Sequence, residues 1–346
     1  MPDVFGPTFI RTAGRMTSLR AGRRRLAILF YHRILAQPDP MYPDVPAVDV
    51  FATHMKALRD SFNVVGLADA VEMLGEGCLP PRAVAITFDD GFADNYHVAL
   101  PVLRRLRLEA TVFIASDFID GGCMFNDAVI EACRHAPLHG WRTGIAEIGD
   151  VDIGSEPRRA VVAGELVQRI RYLEPVLRND YAARLLRSAG ARQPANLMMS
   201  GDEVVALGRA GIEIGAHTAS HPILARLGAA EAEGEIVSGR EALAQLTGRS
   251  IRLFAYPNGK PGIDFTVRDV ETVRRQGFAG AVTTAWGCPD RSVDRFELPR
   301  IGCWGETPMR FSMRLLWYFS RGMATAGGTA QPAGIRDRQD GGTTKQ

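Results

Sequence analysis

A chain of 346 residues can bury a large core, enough for one big or two ordinary domains, and 46% apolar with 23% charged residues is the make-up of a globular protein. A net charge of +2 gives no ground for nucleic-acid binding by the chain as a whole. Five cysteines without a CxxC spacing argue against a disulfide framework and fit a reducing compartment, and no apolar run approaches the roughly 18 residues of a membrane span.

In chain order, residues 1–25 carry Arg11, Arg15, Arg20, Arg23, Arg24 and Arg25 against Asp3 alone and read as a flexible basic arm. Phe5, Phe9, Ile10, Met16 and Leu19 give that arm an apolar face for anionic lipid, with a solvated tail as the alternative. The apolar stretch that follows is too short for a secretory signal and lacks a small-residue cleavage site. The expected location is therefore cytoplasmic, with peripheral contact at the inner membrane surface as an option for the arm.

A first strand is expected over residues 26–34, with His32 near its end. Phe51, Met55, Leu58 and Phe62 recur at helical spacing, followed by a strand at 62–67 and a helix at 68–74. Residues 83–88 form an apolar, β-branched strand that runs into Asp89, Asp90 and Gly91. A helix is expected at 95–106, where Pro101 demands a first-turn position or a kink, and a strand at 109–114. Residues 120–195 are rich in Gly and Arg, with one helical stretch at 160–187, and read as an insertion over the rim of the main fold. The alternation resumes with helices at 201–210, 229–246 and 265–276 and strands at 211–215, 252–255 and 277–283. A short strand at 297–301 and a helix at 308–319 close it, and residues 321–346 read as a disordered tail. Strand and helix in alternation predict a parallel α/β sheet or barrel over residues 26–320.

Three stretches carry chemistry. Asp89 and Asp90 sit at the carboxyl end of a strand, where α/β barrels place their active sites and where neighbouring side chains point apart. Asp-Gly is also a common turn signal, which is the plainer reading. His217 and His221 lie four apart, but Pro222 disfavours a regular helix, so the chain is expected to turn and bring His221 back beside His217. Two imidazoles and a carboxylate from Asp90 make a site that zinc favours, with a position left open for water. Phe254-Ala255-Tyr256-Pro257-Asn258-Gly259 is a third strand end, whose loop is able to aim a backbone N–H at a developing oxyanion.

Taken in this order, Thr87-Phe88-Asp89-Asp90-Gly91, His217-Thr218-Ala219-Ser220-His221 and the Tyr-Pro-Asn-Gly loop resemble the polysaccharide deacetylases of the NodB-homology type, carbohydrate esterase family 4. The likeness spans about residues 26–115 and 197–305. It implies a distorted (β/α) barrel with an inserted segment and metal-dependent removal of acetyl from N-acetyl sugars. It further implies Asp89 as general base, Asp90, His217 and His221 as metal ligands, and the Tyr256 N–H as oxyanion donor. Zinc is the implied metal, with cobalt as the alternative, and a carbohydrate the implied partner, with no nucleic acid.

The family pattern is broken in three places. Ala255 stands where an Arg is usual, residues 281–287 offer no Asp to hold that Arg, and Leu298-Pro299-Arg300-Ile301 lacks the usual acid His. Loss of both partners of a pair leaves neither charge stranded. Tyr31-His32 resembles a permuted subgroup acting on poly-N-acetylglucosamine, in which the acid histidine lies on the first strand. With His32 as acid and Asp89 as base, a bell-shaped pH profile is expected. His54, His97, His135 and His139 are expected to be packing or surface residues, and Trp286 and Trp304 either pack or stack on a sugar ring. Two other functions fit the same residues: a catalytically idle sugar-binding protein that keeps the metal site, and hydrolysis of another C–N bond.

Overall fold

The computed structural model describes residues 24–303 and 307–321. Ten strands and ten helices are labelled here in chain order. The main sheet contains β1 (Leu26–Tyr31), β2 (Asn63–Val64), β3 (Ala83–Phe88), β4 (Thr111–Ile114), β7 (Glu213–Ala216), β8 (Leu253–Ala255), β9 (Gly280–Trp286) and β10 (Leu298–Gly302). The strands run β1-β10-β9-β8-β7-β4-β3, and β3 pairs back onto β1, so seven parallel strands close a barrel. β2 adds to the outside of β3 as an eighth strand of only two residues, shorter than the 62–67 segment expected.

Closure explains the composition of the strands. All six residues of β3 are buried, because one face looks into the barrel and the other is covered by helices. Alternate residues divide accordingly. Leu26, Ile28, Ala83 and Ala85 join Phe113, Leu253 and Val282 in one apolar cluster, while Ala27, Leu29, Val84 and Ile86 pack in the larger cluster with the helices. Closure also makes the first and last strands neighbours, with Leu29 opposite Ile301 and Phe30 opposite Gly302, while β1 pairs on its other side with β3, Tyr31 opposite Phe88.

The helices of the barrel are α1 (Val48–Ser61), α2 (Leu67–Glu76), α3 (Leu100–Leu106), α7 (Gly201–Arg209), α8 (Ala229–Thr247), α9 (Val267–Arg275) and α10 (Pro308–Arg321). Pro101 falls in the first turn of α3, and the chain before it, Asn95–Ala99, is wound as a π-helical turn rather than as regular helix.

Residues 120–195 contain α4 (Phe125–His135), α5 (Arg159–Ile170) and α6 (Pro175–Ser188), with a small antiparallel hairpin of β5 (Trp141–Arg142) and β6 (Asp150–Val151). The single helix expected at 160–187 is thus two, because Pro175 starts a new helix where its missing N–H is not needed. These elements share an apolar cluster with Val129, Trp141, Leu166 and Leu185, joined by Met41 from the loop after β1. Of the basic arm only Arg24 and Arg25 are described, and each guanidinium donates to a backbone carbonyl, of Leu79 and Phe319 respectively. The lipid-facing residues expected in the arm, and the tail beyond Arg321, lie outside the described residues. Among the described residues no helix is long and apolar enough to cross a membrane.

Candidate active site

The chain leaves β3 through Asp89 and turns sharply at Asp90 (φ 76°) and Gly91 (φ 88°). A Cβ at Gly91 would come within 2.9 Å of Ile114, so the turn needs glycine on both counts. The two carboxylates part company here, as expected. Asp90 Oδ1 lies 3.4 Å from His217 Nε2 and 3.4 Å from His221 Nε2, and one ligand atom from each of the three lies within 4.8 Å of the others.

The histidine loop is built to hold that arrangement. His217 continues the β7 ladder, donating its N–H to the Ile114 carbonyl, and Thr218 (φ 63°) and His221 (φ 55°) then take left-handed backbone conformations that non-glycine residues seldom adopt. Glu235 of α8 accepts from the N–H groups of Ala219 and Ser220 at 3.1 and 2.8 Å and from the Ser220 hydroxyl at 2.6 Å. The Thr218 hydroxyl accepts from the His221 N–H at 3.1 Å.

These residues suit a divalent cation. His217 Nδ1 is 2.7 Å from the Ala255 carbonyl, to which it donates, leaving the Nε2 lone pair aimed at Asp90 and His221. Asp90 Oδ1 is buried without a hydrogen-bond partner, a costly state that a cation relieves. Burial opposes the charge on Asp90, yet the adjoining His217 and the other neighbouring imidazoles hold its carboxyl well below the usual range. Burial pushes His221 down to about 3, which keeps it neutral as a ligand must be. One carboxylate and two imidazoles leave coordination positions free for water or substrate.

Asp89 faces a different partner. Arg300 of β10 donates to both its oxygens, at 2.7 Å each, and also to the Thr283 carbonyl at 2.9 Å and the Thr87 hydroxyl at 3.2 Å. This arginine is fully buried, with its guanidinium 4.7 Å from the Phe30 ring centroid. Burial works against the Asp89 charge, but Arg300 outweighs it and the carboxyl lies below its ordinary range. The cation that Ala255 does not supply comes here from another strand, as Arg300. Its sequence signal was a lone Arg inside an otherwise apolar strand segment.

Tyr256 also needs correction. Its N–H donates to the Val282 carbonyl at 3.2 Å in the β8–β9 ladder, and its hydroxyl donates to the Phe296 carbonyl at 3.1 Å. That N–H is already spent and cannot serve an oxyanion. Two residues on, Asn258 takes a left-handed conformation (φ 59°), and its N–H has no acceptor among the described residues. Its side-chain oxygen accepts from Arg171 at 2.6 Å, which ties this loop to the insertion.

His32 follows β1 directly and is exposed, and its carbonyl accepts from Asn95 Nδ2 at 2.9 Å. It stands close enough for its charge to act on Asp89, Asp90 and His221. Among the other histidines, His54 is buried and stacked on Phe311 at 4.2 Å. His97, His135 and His139 pair with carboxylates at the surface. Trp286 is half-buried and stacks on Tyr318, and Trp304 lies outside the described residues.

Comparison with known proteins agrees with this geometry. The family model described as polysaccharide deacetylase matches residues 76–149 and 178–279. YxkH of Bacillus subtilis (strain 168) is 37% identical over 92 residues, a match spanning 26% of this chain and 32% of that protein. Among solved structures, the Streptococcus pyogenes deacetylase PplD in complex with acetate superposes with a TM-score of 0.58 at 15% identity, covering 85% of this chain and 99% of that one. IcaB from Ammonifex degensii gives 0.55 at 18% identity, covering 86% and 97%. A de-N-acetylase from Aggregatibacter actinomycetemcomitans gives 0.53 at 17%, covering 84% and 99%. At these identities the superpositions speak for the fold alone, while the family model covers just over half of the chain. This chain belongs to the polysaccharide deacetylase family.

Proposed function

We propose that this protein is a metal-dependent deacetylase of N-acetylated sugars, working on a polysaccharide or its precursor with zinc at Asp90, His217 and His221. The observation that carries this reading is the division of labour between adjacent carboxylates: Asp90 turns to two imidazoles while Asp89 is held, ionised, by Arg300. A divalent cation bound there supplies Lewis acidity, polarising an acetyl carbonyl and acidifying a water.

The chain's own residues do the rest. Asp89 accepts the proton of the attacking water. Each of its oxygens keeps a lone pair beyond the one engaged by Arg300, so the tether fixes the base without disabling it. The free N–H of Asn258 is the oxyanion donor in place of Tyr256. His32, at the mouth of the barrel and within electrostatic reach of both carboxylates, protonates the leaving amine. The pairing of β1 with β10 supports the permuted arrangement, since it brings a first-strand histidine to the end of the barrel that carries Asp89.

The test is acetate release from chitooligosaccharides with added zinc or cobalt. Wild type is expected to release acetate, and Asp89→Asn to lose at least 100-fold in kcat, in line with the roughly 10²–10⁴ contributed by general-base catalysis. Equal release by the two proteins contradicts the hydrolase reading. Binding of zinc and sugar with no release by either would leave a sugar-binding protein.

A further inference from the structure

Beside His221, residues of the insertion line an open cavity of about 210 Å³. Phe118, Met124, Phe125 and Leu186 give it apolar walls, and Asn179 and Ser220 add neutral polar groups. His221 contributes to the lining, so the cavity adjoins the metal ligands directly. One side chain in the wall does not belong to an apolar pocket. Arg178 of α6 is only 5% exposed, and its guanidinium lies 4.4 Å from the Phe125 ring centroid.

Arg178 has no hydrogen bond or ion pair among the described residues, and its Nε is buried without a partner. The buried Arg300, by contrast, is matched by Asp89 at 2.7 Å. A guanidinium stays protonated even when buried, so one whose Nε is sealed off without a partner loses hydration that the Phe125 face offsets only in part. Burial alone pushes the Arg178 pKa down, with no carboxylate acting against it. A charge left uncompensated beside a substrate cavity is a specificity device, because its counter-ion must arrive with the ligand.

We propose that Arg178 is an anion subsite of this enzyme and that the sugar accepted next to the metal carries an acidic group, a carboxylate or a phosphate. The inference rests on the deacetylase reading for the identity of the ligand as a sugar, but not for the existence of the subsite. The planar fork of Arg178 suits either oxyanion by two parallel hydrogen bonds. The apolar part of the walls lowers the local dielectric on one side of such an ion pair and so strengthens it.

The experiment is equilibrium binding to zinc-loaded protein in an Asp89→Asn background, which prevents turnover. The probes are N-acetylglucosamine, N-acetylmuramate and N-acetylglucosamine 1-phosphate. One or both charged sugars are expected to bind at least tenfold more tightly than the neutral one, and which does so names the anion. In Arg178→Gln that preference is expected to vanish, and in Arg178→Lys to survive in part. The ligand-free Arg178→Met protein is expected to melt no lower than wild type, since it loses an unmatched charge and keeps the packing. Equal affinities for charged and neutral sugars, no binding of either charged sugar, or a preference that persists in Arg178→Gln each overturn the proposal. Acetate release by the wild type is scored separately, so failure of the deacetylase reading is a different result.

Discussion

At the scale of single residues, the site is a set of matched charges in a dry place. Asp89 and Arg300 are buried together, and breaking such a pair by removing one partner costs about 3–5 kcal/mol. Arg300→Gln should therefore lower the melting temperature, and a pH–rate profile should show its acid limb moved to higher pH, because burial then acts on Asp89 without its opposing cation. The sign for stability follows from the depressed folded pKa. The Asp89 contribution is fully present above the unfolded value of about 3.9 and is lost as pH falls from there through the lower folded value. A Tm measured from pH 7 down to pH 3 in wild type and Arg300→Gln should converge toward the acid end. His32→Gln tests the proposed acid. It should lose at least tenfold in kcat, while zinc content is unchanged.

What could be read at this scale depended on whether a residue's partner was local. Asp89, Asp90, His217 and His221 stand in short runs whose types and spacing already state a ligand set. Arg300 is separated from Asp89 by 211 positions, and nothing near it in sequence announces a carboxylate. The Tyr256 error has another cause. Which N–H of a strand-end loop is free depends on where the ladder stops, and β8 remains paired through Tyr256 by the bond to Val282.

Among the elements, α8 governs the histidine loop as much as the loop's own residues do. Gly239 lies where a Cβ would approach the Thr218 carbonyl carbon and oxygen to 2.5 Å and the Ala219 nitrogen to 2.8 Å. Backbone cannot yield there as a side-chain tip would, so Gly239→Ala should force helix and loop apart at a cost of about 1–3 kcal/mol. The loop carries both histidines, and zinc affinity measured by competition with a chelating dye should fall at least tenfold. Unchanged affinity would mean that the loop holds its shape without the helix. Element boundaries were well marked where periodicity and punctuation agreed, as in β3 and α8. They failed where one feature outweighed the pattern: Pro175 divides the long amphipathic stretch of the insertion, and β2 is cut to the two residues that β3 has room to pair on its outer side.

For the whole molecule, barrel closure is the step that makes a site from distant residues. It seats β1 against both β10 and β3, so that His32, Asp89 and Arg300 come from three adjoining strands. The alternation of strand and helix made a parallel barrel legible, but not which strands would adjoin, and hence not the origin of the arginine. Equally hidden was the use of residues 120–195, whose composition suggested only a cover. In the folded chain they line most of the cavity beside His221 and fasten the Asn258 loop through Arg171. The central claim is that Asp90, His217 and His221 form one cation site and that Asp89 stands outside it. Metal content by mass spectrometry of the native protein measures this most directly. One zinc per chain is expected for wild type and for Asp89→Asn, and less than a tenth of that for His221→Ala. Zinc retained in full by His221→Ala, or lost from Asp89→Asn while its fold is intact, would contradict the account.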